Sequence, residues 1–306
     1  MSVKLRLATR ESPLALWQAH HVADLLQASD SALSIELVPM TTEGDQRLNQ
    51  PLAEIGGKGL FLKELEQAMA DDRADFAVHS LKDVPYELPA GFVLAAVLDR
   101  HDPRDALVSA KYPTLSELPM GAVVGTSSLR RQAQLLNRRP DLQVKSLRGN
   151  VNTRLKKLDN GEYDAIILAT AGLERLGMAD RIAQRISVSD SLPAVGQGVV
   201  AIECREGDER CLAAMQKLHH LPTQQLITAE RTFSEALAGS CQLPMAANAV
   251  ADGDTLRLDG LVASADGTQL LRENLTGNAS EPGKLGAALA QSLMDAGAGA
   301  ILDAAR

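Results

Sequence analysis

The sequence has few aromatic residues, few cysteines and no long apolar run. Aromatic residues make up 3% of the 306 residues, so the cores must be built from Leu, Ala, Val and Ile. The three cysteines, an odd number without a CxxC pair, argue against a disulfide framework and against a zinc site. No segment approaches the roughly 20 consecutive apolar residues that cross a bilayer, and the first residues lack the apolar stretch of a signal peptide. We therefore expect a soluble, cytoplasmic protein that uses neither a membrane nor a metal.

Basic residues are concentrated in one segment of an otherwise acidic chain. The net charge is −8, yet residues 126–157 contain nine basic residues and one acidic residue. A nucleic-acid-binding protein is more often basic over a whole face and supplies aromatic side chains for stacking. The segment therefore favours a local site for a small anion, with RNA or DNA binding as an alternative.

Short apolar runs alternate with amphipathic helices in about the first half of the chain, which is the pattern of an α/β sheet. Residues 7–12 resemble residues 124–128, and residues 74–80 resemble residues 163–169. This internal similarity predicts two α/β lobes of related build that face each other across a cleft. After residue 220, the pattern predicts a small α+β domain with a three-stranded antiparallel sheet and helices.

The predicted elements give three domains. The strands are 5–9, 34–40, 76–79, 92–98, 122–125, 143–147, 165–169, 199–203, 246–251, 255–262 and 269–275, and the helices are 13–26, 60–70, 129–137, 151–158, 223–238 and 284–296. Polar, proline-marked segments after residues 98 and 217 separate them. The domains are residues 1–99 with 199–217, residues 104–193, and residues 221–306.

Two strand ends carry groups that suit an anion. Residues 125–131 (GTSSLRR) follow a strand and open a helix, where free backbone N–H groups and the positive helix end attract carboxylate or phosphate. Arg130 and Arg131 add fork-shaped donors for carboxylates. Residues 147–154 repeat the arrangement after the next strand. The alternative is two capped helices with surface arginines, but the repetition favours a ligand with several carboxylates.

Asp83 and Cys241 are candidates for chemistry. Asp83 follows a strand end, where a carboxylate could accept N–H bonds and stabilise a developing cation, although a turn aspartate before Pro85 is the alternative. Cys241 lies in a glycine-bearing loop and could be an attachment point or a nucleophile, whereas Cys204 and Cys211 have the surroundings of structural residues. The glycine-rich residues 55–61 do not match a phosphate-binding loop and predict a mobile flap.

The ordered motifs of this chain resemble the porphobilinogen deaminase family. They are residues 7–15 (LATRESPLA), 56–61 (GGKGLF), 79–85 (HSLKDVP), 125–131 (GTSSLRR), 147–150 (LRGN), 192–198 (LPAVGQG) and the loop around Cys241. The resemblance runs from about residue 4 to the C-terminus without large gaps. One departure is Ser240, which stands where the family often has a second glycine.

The resemblance implies a fold and an activity. The fold would be two lobes like those of periplasmic binding proteins, plus a third domain that presents the cysteine. The activity would be hydroxymethylbilane synthesis, in which four porphobilinogen molecules lose ammonia and condense on a dipyrromethane cofactor. That cofactor would be held by Cys241 as a thioether. Every pyrrole carries an acetate and a propionate, which would explain the arginines. A monomer without nucleic acid is expected.

The resemblance also implies roles for individual residues. Asp83 would accept the pyrrole N–H groups and stabilise the positive charge that develops on them, as the catalytic residue. Substrate carboxylates would be bound by Arg10, Ser12, Arg148 and Arg154, and Gln197 would also bind the substrate. The cofactor would be held by Cys241, Lys82, Asp83, Thr126, Ser127, Ser128, Arg130, Arg131, Arg148 and Arg175.

A binding protein that closes on an organic anion without chemistry is the competing hypothesis. It would explain two lobes and the arginines, but it gives Asp83 and Cys241 no task. The two hypotheses differ in the mass expected for the purified protein. Only the enzyme would be heavier than its sequence, by the two pyrrole units of the cofactor.

Overall fold

The computed structural model describes residues 3–46, 62–237 and 243–304. Its strands are β1 (Val3–Arg10), β2 (Leu33–Met40), β3 (Phe76–Ser80), β4 (Phe92–Val97), β5 (Asp105–Val108), β6 (Val123–Gly125), β7 (Gln143–Lys145), β8 (Ala165–Ala169), β9 (Gln184–Arg185), β10 (Val200–Arg205), β11 (Met245–Asp252), β12 (Thr255–Ala263) and β13 (Leu270–Asn278). Its helices are α1 (Pro13–Ser29), α2 (Glu43–Gln46), α3 (Lys63–Ala70), α4 (Leu129–Arg138), α5 (Val151–Asp159), α6 (Thr170–Arg175), α7 (Glu209–Gln216), α8 (Leu221–Ala236), α9 (Pro282–Asp295) and α10 (Ala298–Ala304).

The chain divides into two compact units, residues 1–101 with 199–224 and residues 102–198 with 225–306. The first unit contains a five-stranded sheet in the order β2-β1-β3-β10-β4. Strands β2, β1 and β3 are parallel, and β10 is antiparallel to both of its neighbours. Apolar side chains of β1, β3, β10, α1 and α7 form its main core, in which Leu5, Leu7 and Phe76 are fully buried.

The second unit contains a sheet of the same pattern, in the order β7-β6-β8-β5-β9. Strands β7, β6 and β8 are parallel, and β5 is antiparallel to β8 and β9. Each sheet therefore has three parallel strands followed by two antiparallel pairings. This agreement is the physical basis of the weak repeat in the sequence, and it confirms the predicted α/β class.

The second unit also contains a three-stranded antiparallel sheet, β11-β12-β13, which confirms the α+β prediction for the last third of the chain. Helices α8, α9 and α10 cover one face around the buried Phe233 and Leu289. Helix α4 packs on the other side of the sheet, where Ala133 contacts the cluster of Leu192, Ala246, Leu261 and Ala263. A Cβ at Gly267 would lie 2.5 Å from the carbonyl oxygen of Ala133, so this approach requires glycine.

Most predicted elements are present, with described ends that shift by at most three residues. Strands β5 and β9 and helices α2, α6, α7 and α10 were not predicted. The short run of β5 directly follows a polar segment, and α6 contains Gly172, which lowers helix propensity. The division into three domains stays a prediction.

Among the described residues, no single helix is long and apolar enough to cross a bilayer, although α9 and α10, bent by 82°, meet the criterion together by length and composition.

Candidate active site

The C-terminal ends of β1 and β3 bring one set of predicted residues to the same edge of the first unit's sheet, because the two strands are parallel neighbours. Ser12 caps α1, since its hydroxyl accepts a hydrogen bond from the N–H of Ala15, and Pro13 occupies the first turn. Gln18 of α1 donates to the hydroxyl of Ser80 at 2.8 Å, which ties the helix to the end of β3. Arg10, the last residue of β1, is partly exposed.

Asp83 lies in a short 3-10 turn, Leu81–Asp83, that directly follows β3. The N–H of Leu81 donates to the carbonyl of Val199 at 3.0 Å, and the N–H of Val84 closes the turn on Leu81. Leu81 and Val84 are buried, whereas Asp83 is exposed and Lys82 is partly exposed. A turn held by two backbone hydrogen bonds thus presents the Asp83 carboxylate to solvent, where a ligand can reach it.

A buried acid–base cluster under this turn was missed by the sequence reasoning. Nε2 of His79 on β3 lies 2.8 Å from Oε2 of Glu203 on β10. Glu66 of α3 is also buried, and burial followed by the charge of Glu203 raises the pKa of Glu66 to about 7. The available signal was Glu203 itself, a carboxylate within the apolar strand β10.

The first of the two segments predicted to bind an anion is the loop between β6 and α4. Thr126 is buried, and its hydroxyl accepts a hydrogen bond from the N–H of Ser128 at 3.2 Å. Ser128 caps α4 by accepting from the N–H of Arg131. Ser127 bonds both the N–H and the carbonyl of Leu147, at 3.0 and 2.9 Å, which joins this loop to the one that follows β7. The Ser127 hydroxyl therefore joins the two loops, whereas the hydroxyls of Thr126 and Ser128 order the loop before α4 and the start of that helix.

Arg130 and Arg131 are buried rather than on the surface, and both pair with Asp105. Arg130 donates to Asp105 at 2.8 and 3.2 Å, and Arg131 donates at 2.8 and 3.0 Å. Burial alone would raise the pKa of the Asp105 carboxyl, but the two guanidinium groups hold it well below its usual range. The alternative of surface arginines is wrong for this pair. Asp105 itself was missed, because it lies 25 residues away in sequence from Arg130.

Arg148 lies in the loop after β7, two residues before the cap of α5. Asn150 is that cap and accepts from the N–H of Thr153 at 2.9 Å. Nη1 of Arg148 is buried and has no acceptor among the described residues, and burial lowers the pKa of this guanidinium. Arg154 of α5 donates from Nε to the carbonyl of Gly149 at 2.7 Å. An unpaired, buried guanidinium nitrogen is the feature expected of a site that awaits a carboxylate.

Two further predicted residues lie at neighbouring chain segments of the same unit. Arg175 ends α6 and donates from Nη2 to the carbonyl of Gly198 at 2.7 Å, and burial lowers the pKa of Arg175 to about 10. Gln197 is buried and donates from Nε2 to the carbonyl of Pro103 and to Asp105. The second unit thus brings residues 126–131, 148–154, 175 and 197 to one region, built on the C-terminal ends of parallel strands.

Cys241 and the glycine-rich residues 55–61 lie outside the described residues. In the described ranges, no group of three or more His, Cys, Asp or Glu side chains could hold a metal ion. Cys204 and Cys211 are buried free thiols of β10 and α7, as structural cysteines are.

The donors present fit a dipyrromethane. Its acetate and propionate groups need several cationic donors, and the second unit supplies Arg148 with a buried, unsatisfied Nη1, a buried arginine pair and the N-termini of α4 and α5.

Comparison with solved structures finds periplasmic binding proteins. A periplasmic substrate-binding protein of an ABC transporter from Coxiella burnetii is 16% identical, with a TM-score of 0.45 over 71% of this chain and 92% of that chain. A nutrient binding protein from Burkholderia cenocepacia, bound to methionine, is 14% identical, with a TM-score of 0.44 over 69% of this chain and 90% of that chain.

Comparison with protein families gives two matches that are consecutive along the chain. Residues 5–213 match the porphobilinogen deaminase dipyromethane cofactor binding domain, and residues 224–295 match the porphobilinogen deaminase C-terminal domain. The family consists of transferases of tetrapyrrole synthesis that use a dipyrromethane cofactor. Together the two matches cover nearly the whole sequence, and the chain belongs to the porphobilinogen deaminase family.

Proposed function

We propose that this chain performs the family's reaction, hydroxymethylbilane synthesis from four porphobilinogen molecules, with Asp83 as the catalytic carboxylate and Cys241 as the cofactor attachment point. The observation that supports the assignment best is the buried, unpaired Nη1 of Arg148. It belongs to the loop after β7, which Ser127 joins to the loop that leads to the buried arginine pair. A site of this kind fits a ligand that carries many carboxylates. When bound, the dipyrromethane supplies the pyrrole that primes the chain of four rings.

Asp83 accepts pyrrole N–H groups in this proposal. Loss of ammonia from porphobilinogen leaves an electron-poor pyrrole, and positive charge develops on its nitrogen. A carboxylate that accepts the N–H stabilises that charge more strongly than it stabilises the neutral ground state, which lowers the barrier. The turn, anchored by buried Leu81 and Val84, positions Asp83 before the substrate binds.

The polar residues of the second unit bind carboxylates in this proposal. Arg148 and Arg154, with Gln197 and, in the first unit, Arg10 and Ser12, hold the substrate. Lys82, Thr126, Ser127, Ser128, Arg130, Arg131, Arg148 and Arg175 hold the cofactor side chains. Guanidinium groups suit this task because they bind carboxylates with two parallel hydrogen bonds and stay charged when partly buried.

We also propose that the protein is a cytoplasmic monomer that acts without nucleic acid, membrane or metal. An acidic net charge of −8 and an aromatic content of 3% support the absence of nucleic acid. Light scattering on the purified protein, with and without added RNA, tests the monomeric state and the absence of nucleic-acid binding. A mass of one chain, unchanged by RNA, is expected.

Intact-mass spectrometry tests the proposed function. The native protein should exceed its sequence mass by two pyrrole units and should colour with Ehrlich's pyrrole reagent. Cys241→Ser should lose the excess mass, the colour and the turnover. Cys211→Ala is the matched control, since that thiol is buried in α7, and it should keep the adduct. A native protein with the mass of its bare sequence and an unmodified Cys241 would contradict the proposal.

A further inference from the structure

Asp105 begins β5 and is fully buried, and four side chains donate hydrogen bonds to its carboxylate. Arg130 and Arg131 approach it from the first turn of α4. Ser191 donates to Oδ2 at 2.8 Å, and Gln197 donates to Oδ1 at 2.9 Å. Six hydrogen bonds engage both oxygens, so the carboxylate sets the orientation of each of these side chains.

The same carboxylate fixes the segment that follows β9. Besides its bond to Asp105, Gln197 donates from Nε2 to the carbonyl of Pro103 at 2.6 Å. Gln134 of α4 binds both the N–H and the carbonyl of Leu192, at 2.6 and 3.1 Å. Residues 191–197 and the first turn of α4 are therefore held in one arrangement by a network centred on Asp105.

The charges of this network do not balance. Two guanidinium groups face one carboxylate, and the other described acceptors of Arg130 and Arg131 are the neutral carbonyls of Leu192 and Ile167. One positive charge is left in a buried setting, which is unfavourable unless an anion compensates it.

We infer that Asp105 is the positioning residue of this anion site, which orients the two guanidinium groups and leaves one positive charge for a single ligand carboxylate. The inference rests on the proposed function, in which that carboxylate belongs to an acetate or propionate of the dipyrromethane. Asp105 touches no ligand in this arrangement and acts through Arg130 and Arg131. The orientation that it sets determines how readily the cofactor docks.

The rate of cofactor assembly tests this role. Enzyme produced in cells that cannot make porphobilinogen is given porphobilinogen, and the gain of two pyrrole units is followed by intact mass on the folded, soluble fraction. Asp105→Asn keeps the shape but removes the charge, and assembly should slow at least tenfold. Ser191→Ala removes one hydrogen bond to Oδ2 and should slow assembly two- to fivefold. Ser189→Ala changes an exposed side chain that does not contact Asp105 and should assemble at the wild-type rate.

The outcomes separate positioning from a purely structural role. If Asp105→Asn only lowers the melting temperature while its folded fraction assembles cofactor at the wild-type rate, the inference is overturned. If Asp105→Asn does not fold, Ser191→Ala decides, and assembly at the rate of Ser189→Ala overturns the inference. If the wild-type protein itself gains no pyrrole units, the proposed function fails.

Discussion

Nε2 of His79 lies 2.8 Å from Oε2 of Glu203, and both side chains are buried on adjacent antiparallel strands. Oε1 of Glu203 has no partner among the described residues. Glu66 adds a third buried titratable group, whose pKa is raised to about 7 by burial and by the charge of Glu203. This cluster lies at the end of β3, four residues before the proposed catalytic carboxylate. Its protonation therefore affects the stability of the unit that carries Asp83.

Glu66→Gln should stabilise the protein at pH 8 and leave its stability nearly unchanged at pH 5. Because the pKa of Glu66 is raised on folding, the folded state holds a proton that the unfolded state loses, and stability falls as the pH rises from about 4.5 to about 7. The glutamine variant lacks this loss. Melting temperatures of both proteins across this pH range measure it. Glu36→Gln, which changes an exposed side chain on β2, is the control. If Glu66→Gln changed the stability equally at pH 5 and pH 8, the raised pKa of Glu66 would be contradicted.

Asp83→Ala should lower kcat at least about a hundredfold, the size expected when a group that stabilises developing charge is removed. The side chain is exposed, so the free energy of unfolding should change by less than about 0.5 kcal/mol. Steady-state kinetics and denaturant unfolding measure the two effects. Glu87→Ala, an exposed acid of the same segment, should retain activity. A near-normal kcat for Asp83→Ala would remove the residue from the mechanism.

Arg148→Ala should raise KM for porphobilinogen roughly ten- to hundredfold, since a hydrogen bond to a charged group contributes about 1.5 to 3 kcal/mol. The prediction depends on Nη1 of Arg148, which donates no hydrogen bond to any described residue. Lys156→Ala provides a matched loss of positive charge at an exposed position of α5. Initial rates over a range of substrate concentrations give both constants, and unchanged values would place Arg148 outside the site.

Gly125→Ala should destabilise the second unit, because a Cβ there would lie 2.8 Å from the ring of Tyr163. The loss should be about 1 to 3 kcal/mol, and it should shift the loop that begins with Thr126. Gly283→Ala in α9 is the control, since its Cβ would be 3.6 Å from Thr232 and alanine favours the helix. Thermal unfolding of both variants and of the wild type measures the change in stability. A Gly125→Ala protein as stable as the wild type would contradict the prediction.

Elements with a clear period or cap were predictable from the sequence. Helix α1 has Ser12 at its cap and Pro13 in its first turn, and the apolar runs of β3 and β8 define their strands. The strand ends that carry residues 126–131 and 148–154 were predictable for the same reason. In contrast, β5 has only four residues, Asp105–Val108, and so short an apolar run carries no detectable period.

The partners of the charged residues could not be predicted. The sequence indicates that Arg130 and Arg131 are donors for a carboxylate, but it does not reveal that Asp105 of β5 is their counter-ion. His79 and Glu203 are 124 residues apart, and their pairing depends on the antiparallel register of β3 and β10. Sequence patterns report local preference, whereas these contacts are set by the topology of the sheets.

The packing of α4 on β12 and β13 has a consequence for fragments of this protein. Ala133 is covered by apolar residues of the last third of the chain, Gln132 donates to the carbonyl of Ala265, and Asn137 donates to that of Gly267. A fragment that stops near residue 220 would expose this face to water, on the helix that carries the arginine pair. We therefore expect residues 102–198 and 225–306 to melt in a single calorimetric transition, and a shortened chain to aggregate unless its missing part is supplied in trans.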